Sequence, residues 1–201
     1  MNPGEEPASV GKVPPCDVAH TAALRDSALL RRGGDVPRLL IQLTKRADGG
    51  AVLRCTRGDG SVTWQKLHGR QAAFFPLHDV THYAVETELG FTRGFYGLIA
   101  LGWDIDETTG KSARGPLPNG AIVVEYLVGQ FDLERASGVR WTAAELNAHA
   151  AGHFSQRNQP APRALDDVDL ARVRRSLREL YARWCSLRAG ETLELEFHVE
   201  R

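Results

Sequence analysis

Two histidines four residues apart, His78 and His82, are the residues of this chain best suited to chemistry. On a helix, residues at this spacing project from one face with their Cβ atoms about 6 Å apart. Two imidazoles on one face can bind the same metal ion, and imidazole is a common ligand of zinc. We therefore expect His78 and His82 to bind zinc or another divalent metal.

Asp79 follows the first histidine directly and lies about 100° around the helix axis from it. It occupies the place of the glutamate in the H-E-x-x-H zinc motif, where the carboxylate takes a proton from metal-bound water. The pattern predicts Asp79 as the catalytic acid or base, or as a third ligand of the metal.

A catalytic zinc ion usually has three protein ligands. Glu86 continues the row of His78 and His82, but eight residues of helix rise about 12 Å, whereas ligands of one ion lie about 3 to 4 Å apart. Glu86 is expected instead to orient His82 by accepting a hydrogen bond from its ring. The third ligand should come from another helix, and the candidates are Asp104, Asp106, Glu125 and the pair His149 and His153.

The motif His78-Asp79-x-x-His82 resembles the zinc-binding coenzyme Q biosynthesis family, whose H-D-x-x-H pattern is followed by eleven residues and a glutamate. In this chain Gly94 stands at the position of that distal glutamate. The resemblance covers residues 75–103 and implies a zinc-binding helix with both histidines as ligands. It does not extend to the rest of the chain.

A second histidine pair, His149 and His153, has the same helical spacing and follows Glu145. It could complete a four-histidine or two-metal site. Glu145, however, fits the capping box that begins at Thr142, and the surrounding alanines and Gly152 are typical of a weak, exposed helix. This pair is therefore the less favoured metal site.

Residues 90–98 combine aromatic side chains with glycines, which favours either tight core packing or a pocket for a flat apolar small molecule. Arg93 is the cation of this stretch and would pair with a carboxylate or phosphate on the ligand. Phe95 and Tyr96 would line the pocket.

The elements that must position these residues form an α+β domain over residues 36–201, preceded by a flexible tail over residues 1–35. Period-two alternation predicts three strands of an antiparallel meander at 37–46, 51–57 and 61–67, and a fourth strand at 191–199 in the same sheet. A period near 3.6 predicts about five helices that cover the sheet: residues 76–90, 92–103 and 120–136, one opening at Thr142, and one ending before Gly190.

Charge and composition exclude several classes of protein. The 25 basic and 25 acidic residues cancel, so no net field favours a nucleic-acid partner, and the arginines at 172, 174, 175 and 178 are interpreted as a solvated helix face. No run of about 18 apolar residues predicts a transmembrane segment. The three cysteines lie far apart and form no C-x-x-C motif, which indicates a cytoplasmic location. The oligomeric state is left open.

These features predict a divalent-metal-binding protein, with metal-dependent hydrolase or lyase activity on a small apolar or carboxylated molecule as one hypothesis. The alternative is a non-enzymatic interaction or ligand-binding module, in which the histidines are structural. No nucleophile elbow, P-loop or dinucleotide-binding glycine motif supports another class of enzyme.

Overall fold

A computed structural model describes residues 37–111 and 114–199, so the predicted tail lies outside the described residues. The fold is α+β, as expected, with a four-stranded antiparallel sheet and five α-helices in this part of the chain. The strands are β1 (Arg38–Lys45), β2 (Ala51–Arg57), β3 (Val62–Leu67) and β4 (Thr192–His198). The helices are α1 (Arg70–Leu89), α2 (Phe95–Ala100), α3 (Asn119–Ser137), α4 (Ala143–Ser155) and α5 (Asp167–Ser186).

The sheet has the strand order β3-β2-β1-β4, with antiparallel pairing throughout. The C-terminal strand therefore lies beside β1, which confirms the predicted meander with a returning strand. In β4 the alternation is also confirmed, because Leu193, Leu195 and Phe197 are buried while Glu194 and Glu196 are exposed. The sheet thus has one apolar face toward the helices and one polar face.

Helices α1 and α2 contact the strands on the apolar face, and α1 occupies the centre of the helical layer. It contacts α5, α3 and α2 as well as the strands β2 and β3. Buried side chains from the sheet and from every helix form one continuous core. A residue on α1 can therefore be surrounded by other elements on nearly all sides.

The first helix is longer than predicted, because it begins at Arg70 and Pro76 lies inside it. The segment 70–73 consists of arginine, glutamine and two alanines, which are strong helix formers. Because of these residues the helix begins six positions before Pro76. Pro76 has no N–H group, so the helix lacks one backbone hydrogen bond there. Gly90 ends the helix in the left-handed conformation, with φ of 70°.

Two other predicted boundaries can be compared directly with the structure. The second helix is shorter than expected, since α2 begins after the extended Gly94 and gives way to a turn before Gly102, whose φ is 94°. A 3₁₀ turn at Ile105–Thr109 follows, capped by Asp104 and Glu107. The capping box at Thr142 and Glu145 is present at the start of α4, as predicted.

Among the described residues, no helix is both long and apolar enough to cross a membrane.

Candidate metal centre

Three possible metal ligands from two helices converge between α1 and α3. His78 and His82 lie one turn apart on α1, and Glu125 projects from α3. One ligand atom from each residue lies within 4.8 Å of the other two. The Nε2 atoms of the two histidines are 3.3 Å apart, and His82 Nε2 lies 3.4 Å from Glu125 Oε1.

The two separations of 3.3 and 3.4 Å that involve His82 match those of ligands around a tetrahedral zinc ion. With bonds of about 2.1 Å, two ligands at the tetrahedral angle lie about 3.4 Å apart. The side chain of Glu125 is 45% exposed and that of His78 is 19% exposed, whereas that of His82 is 2% exposed. The set therefore has one side open to solvent, where a fourth position could take water or substrate.

A carboxylate of α3 holds the His78 ring in place. Asp132 Oδ2 accepts a hydrogen bond of 2.7 Å from His78 Nδ1. Because an ionised carboxylate can only accept, the hydrogen of neutral His78 lies on Nδ1 and Nε2 keeps its lone pair. Asp132 is itself fixed by Arg135 at 3.2 Å and by the hydroxyl of Thr81 at 3.3 Å. The lone pair of His78 thus faces the ring of His82.

A second carboxylate, that of Glu86, lies behind the His82 ring. Its Oε1 is 3.6 Å from His82 Nδ1, beyond hydrogen-bond distance, and His82 Nδ1 has no hydrogen-bond partner among the described residues, so the orienting role of Glu86 stays a prediction. Backbone N–H groups of Tyr96 and Gly97 donate to the same carboxylate at 3.1 and 2.9 Å. A side chain at Gly94 would overlap the Glu86 carboxylate. The absence of a side chain at Gly94 therefore leaves room for Glu86.

The carboxylates give the centre a negative potential. Burial opposes protonation of His82, but the neighbouring carboxylates of Glu125 and Glu86 outweigh it and raise the pKa of His82 to about 10. Burial opposes ionisation of Glu125 and Asp132, yet their contacts with the histidines hold the pKa of both carboxyls below the usual value.

Asp79 is not part of the converging ligand set. It is 3% exposed, and its Oδ2 has no hydrogen-bond partner among the described residues. Burial, with the charges of Glu125 and Asp132, raises the pKa of Asp79 to about 7 against the opposing effect of His82. The charge of Asp79 also helps to raise the pKa of the buried Tyr96 hydroxyl, after the larger effect of burial. The structure thus gives Asp79 a buried position beside the cluster, and the acid or base role stays a prediction.

The other predicted ligands and pocket residues are more dispersed. Asp104 caps the 3₁₀ turn and pairs with Arg57 at 2.9 Å, and Asp106 is exposed in the same turn. Neither belongs to the three-ligand set. Phe95 does contact the centre, with its ring 5.1 Å from that of His82. The side chain of Arg93 is exposed at the surface.

The histidines of α4 lie in an aromatic environment. His149 Nδ1 is 2.7 Å from the Tyr126 hydroxyl, and its ring stacks on Trp141 at 5.3 Å. The ring of His153 lies 4.6 Å from that of Tyr126. Among the described residues, no carboxylate joins this pair in a three-ligand group.

Comparisons with known proteins find no matching family model, no matching curated protein and no matching solved structure. The function of the chain has to be inferred from its own fold and site. That fold is an α+β domain, and its most distinctive site is the cluster of two histidines and a glutamate between α1 and α3. Its chemistry is typical of divalent-metal centres.

Proposed function

We propose that this chain binds one divalent metal ion, zinc, through His78, His82 and Glu125. The observation that carries the proposal is the convergence of these three ligand atoms within 4.8 Å, with His82 lying 3.3 and 3.4 Å from its two neighbours. Glu125 thereby completes a ligand set for which the sequence left several candidates. A set of two histidines and one glutamate is known from catalytic zinc sites.

The surroundings of the rings support metal binding over a purely structural role. Asp132 and Glu86 stand behind the Nδ1 atoms of the two rings, so each Nε2 atom is directed into the space shared with Glu125. Carboxylates in this position fix the tautomer of a ligating imidazole and increase its basicity. A histidine with a purely structural role does not require a carboxylate near Nδ1 while its Nε2 faces other possible ligands.

The open side of the cluster favours a catalytic function. Zinc with three protein ligands binds water at its fourth position and lowers the pKa of that water to about 7, which supplies a nucleophile at neutral pH. We infer that the metal would assist hydrolysis of a small apolar or carboxylated molecule, or removal of a group from it. The molecule would approach beside Glu125 and Phe95. The quinone chemistry of the resembling family is not part of this proposal. The cytoplasmic location stays a prediction.

The test is a zinc titration of the untagged protein against a chromophoric chelator. We expect one zinc ion per chain, and weaker binding by at least about 10-fold in His78→Ala, His82→Ala and Glu125→Gln, because each change removes a ligand. Glu125→Gln is the sharpest variant, since it keeps the size of a half-exposed side chain. Glu179→Gln on the surface of α5 is the matched control and should bind like the wild type.

Zinc bound more weakly than the chelator can detect, or equally well by Glu125→Gln and the wild type, would contradict the proposed site. That result would favour the alternative of a non-enzymatic module with structural histidines.

A further inference from the structure

A cleft of about 240 Å³ opens between α3 and α5, separate from the metal centre. Arg135 on its wall follows Glu125 by ten residues on α3, which is a rise of about 15 Å. The cleft and the metal centre lie on opposite sides of Asp132, which binds Arg135 with one oxygen and His78 with the other. A ligand in the cleft would therefore not contact the proposed zinc ion.

Arginine dominates the wall of this cleft. Arg135, Arg140, Arg174 and Arg178 line it, and Glu134 is the one acidic residue among the lining side chains. Glu134 is already engaged, because it accepts two hydrogen bonds from Arg174. The lining thus carries an excess of positive charge within a small volume, which a bound anion would relieve.

Donors remain available in the cleft. Within residues 37–111 and 114–199, Arg140 and Arg178 form no hydrogen bond or ion pair. The Nε atom of Arg135 is buried and also has no partner there. An anionic acceptor in the cleft would give this buried donor a partner. Arg174 departs from the solvated arginine face predicted for α5, since it binds Glu134 on α3, whereas Arg178 lines the cleft and stays exposed.

The floor of the cleft is apolar and aromatic. Phe131 and Leu177 are buried core residues, and Tyr181 lies beside them with its hydroxyl 2.7 Å from Thr81 Oγ1. A bare inorganic ion would contact the arginines but would leave this floor unused. An anion attached to an apolar group would contact both.

We propose that this cleft binds a small organic anion, a carboxylate or a phosphate monoester carried on a compact apolar group. The planar guanidinium groups of Arg140 and Arg178 recognise the anion through paired N–H donors, as arginine does with carboxylates and phosphates. Phe131 and Tyr181 contact the apolar part. This site goes beyond the proposed zinc function and depends on none of its ligands.

The experiment is calorimetric titration of the full chain with phenyl phosphate, benzoate and inorganic phosphate, in the presence of a metal chelator. We expect at least one of the two aromatic anions to bind more tightly than inorganic phosphate. Whichever aromatic anion binds more tightly identifies the preferred acid group. The double variant Arg140→Ala/Arg178→Ala should weaken its binding by about 10-fold or more, the equivalent of one charge-assisted hydrogen bond.

Arg175→Ala is the matched control, because Arg175 is exposed on the same helix and does not line the cleft. This change removes one arginine charge from α5 without touching the cleft, so it should leave the affinity unchanged. Equal weakening by Arg175→Ala would indicate a general charge effect and overturn the site, as would failure of all three compounds to bind. Because the chelator is present throughout, loss of zinc binding cannot produce or mask either result.

Discussion

The pair His78 and His82 on α1 and the pair His149 and His153 on α4 have the same spacing in sequence but opposite surroundings. The rings of the first pair are backed by carboxylates, and Glu125 faces both of them. The rings of the second pair contact aromatic side chains at the surface. Helical spacing brings two imidazoles together in both places. Among the described residues, a third possible ligand, Glu125, joins the α1 pair but none joins the α4 pair.

The pKa of one histidine in each pair is shifted in the opposite direction from the other. At His82, the carboxylates Glu125 and Glu86 overcome burial and raise the pKa. At His153, partial burial and the charges of Arg157 and His149 lower the pKa. A field that stabilises an imidazolium also attracts a metal cation, and one that disfavours the imidazolium repels it. We therefore expect the neighbours of a histidine pair to decide whether it can bind a metal ion.

The largest expected effect comes from removing each pair in turn. The double variant His78→Ala/His82→Ala should lose stoichiometric zinc, because two of the three ligands are gone. The double variant His149→Ala/His153→Ala should keep the zinc content of the wild type. Elemental analysis after dialysis against a metal-free buffer measures both. If the α4 variant lost zinc and the α1 variant kept it, the comparison would be reversed.

A smaller effect is expected on stability when Glu86 is changed. Glu86→Ala removes the acceptor of two backbone N–H groups in α2 and leaves His82 without one of its buried carboxylates. Breaking a buried pair by removing one partner costs about 3 to 5 kcal/mol. Urea denaturation of the metal-free protein should show a loss of this size.

Glu88→Ala, on the same helix but outside the cluster, is the control and should change stability by about 0.5 kcal/mol or less. A similar loss of stability in both variants would mean that the contact between Glu86 and His82 does not stabilise the fold. The distinction between the two histidine pairs would then rest on Glu125 and Asp132 alone.

Local patterns made most of the fold predictable. The alternation in β4 and the capping box at Thr142 depend on neighbours in sequence, and both were predicted correctly. The start of α1 was predicted wrongly, because Pro76 was treated as a first helical residue although strong helix formers precede it.

The site was predictable only in part, because its residues come from distant segments. The spacing of His78 and His82 predicted that the two rings share one face of α1, which the structure shows, whereas their role as metal ligands and the orienting role of Glu86 stay predictions. Glu125 was one of several candidates, since spacing within one helix cannot say which part of another helix faces it. Asp132 was missed. The seven-residue separation of Glu125 and Asp132 on α3, two helical turns, was the one signal that could have indicated it.

The smallest of these effects should come from Asp132→Asn, which tests whether a carboxylate behind the ring is what distinguishes the α1 pair. Asparagine keeps the size of the side chain but loses its charge, so His78 would remain near its position with a less basic Nε2. Changes of this kind typically weaken metal affinity by about 10- to 100-fold. The corresponding change beside the α4 pair is Tyr126→Phe on α3, which removes the hydroxyl bound to His149 and should leave zinc affinity unchanged. Competition titrations would measure the zinc affinity of both variants. An Asp132→Asn protein that binds zinc as tightly as the wild type would show that packing, rather than the carboxylate, sets the orientation of the His78 ring.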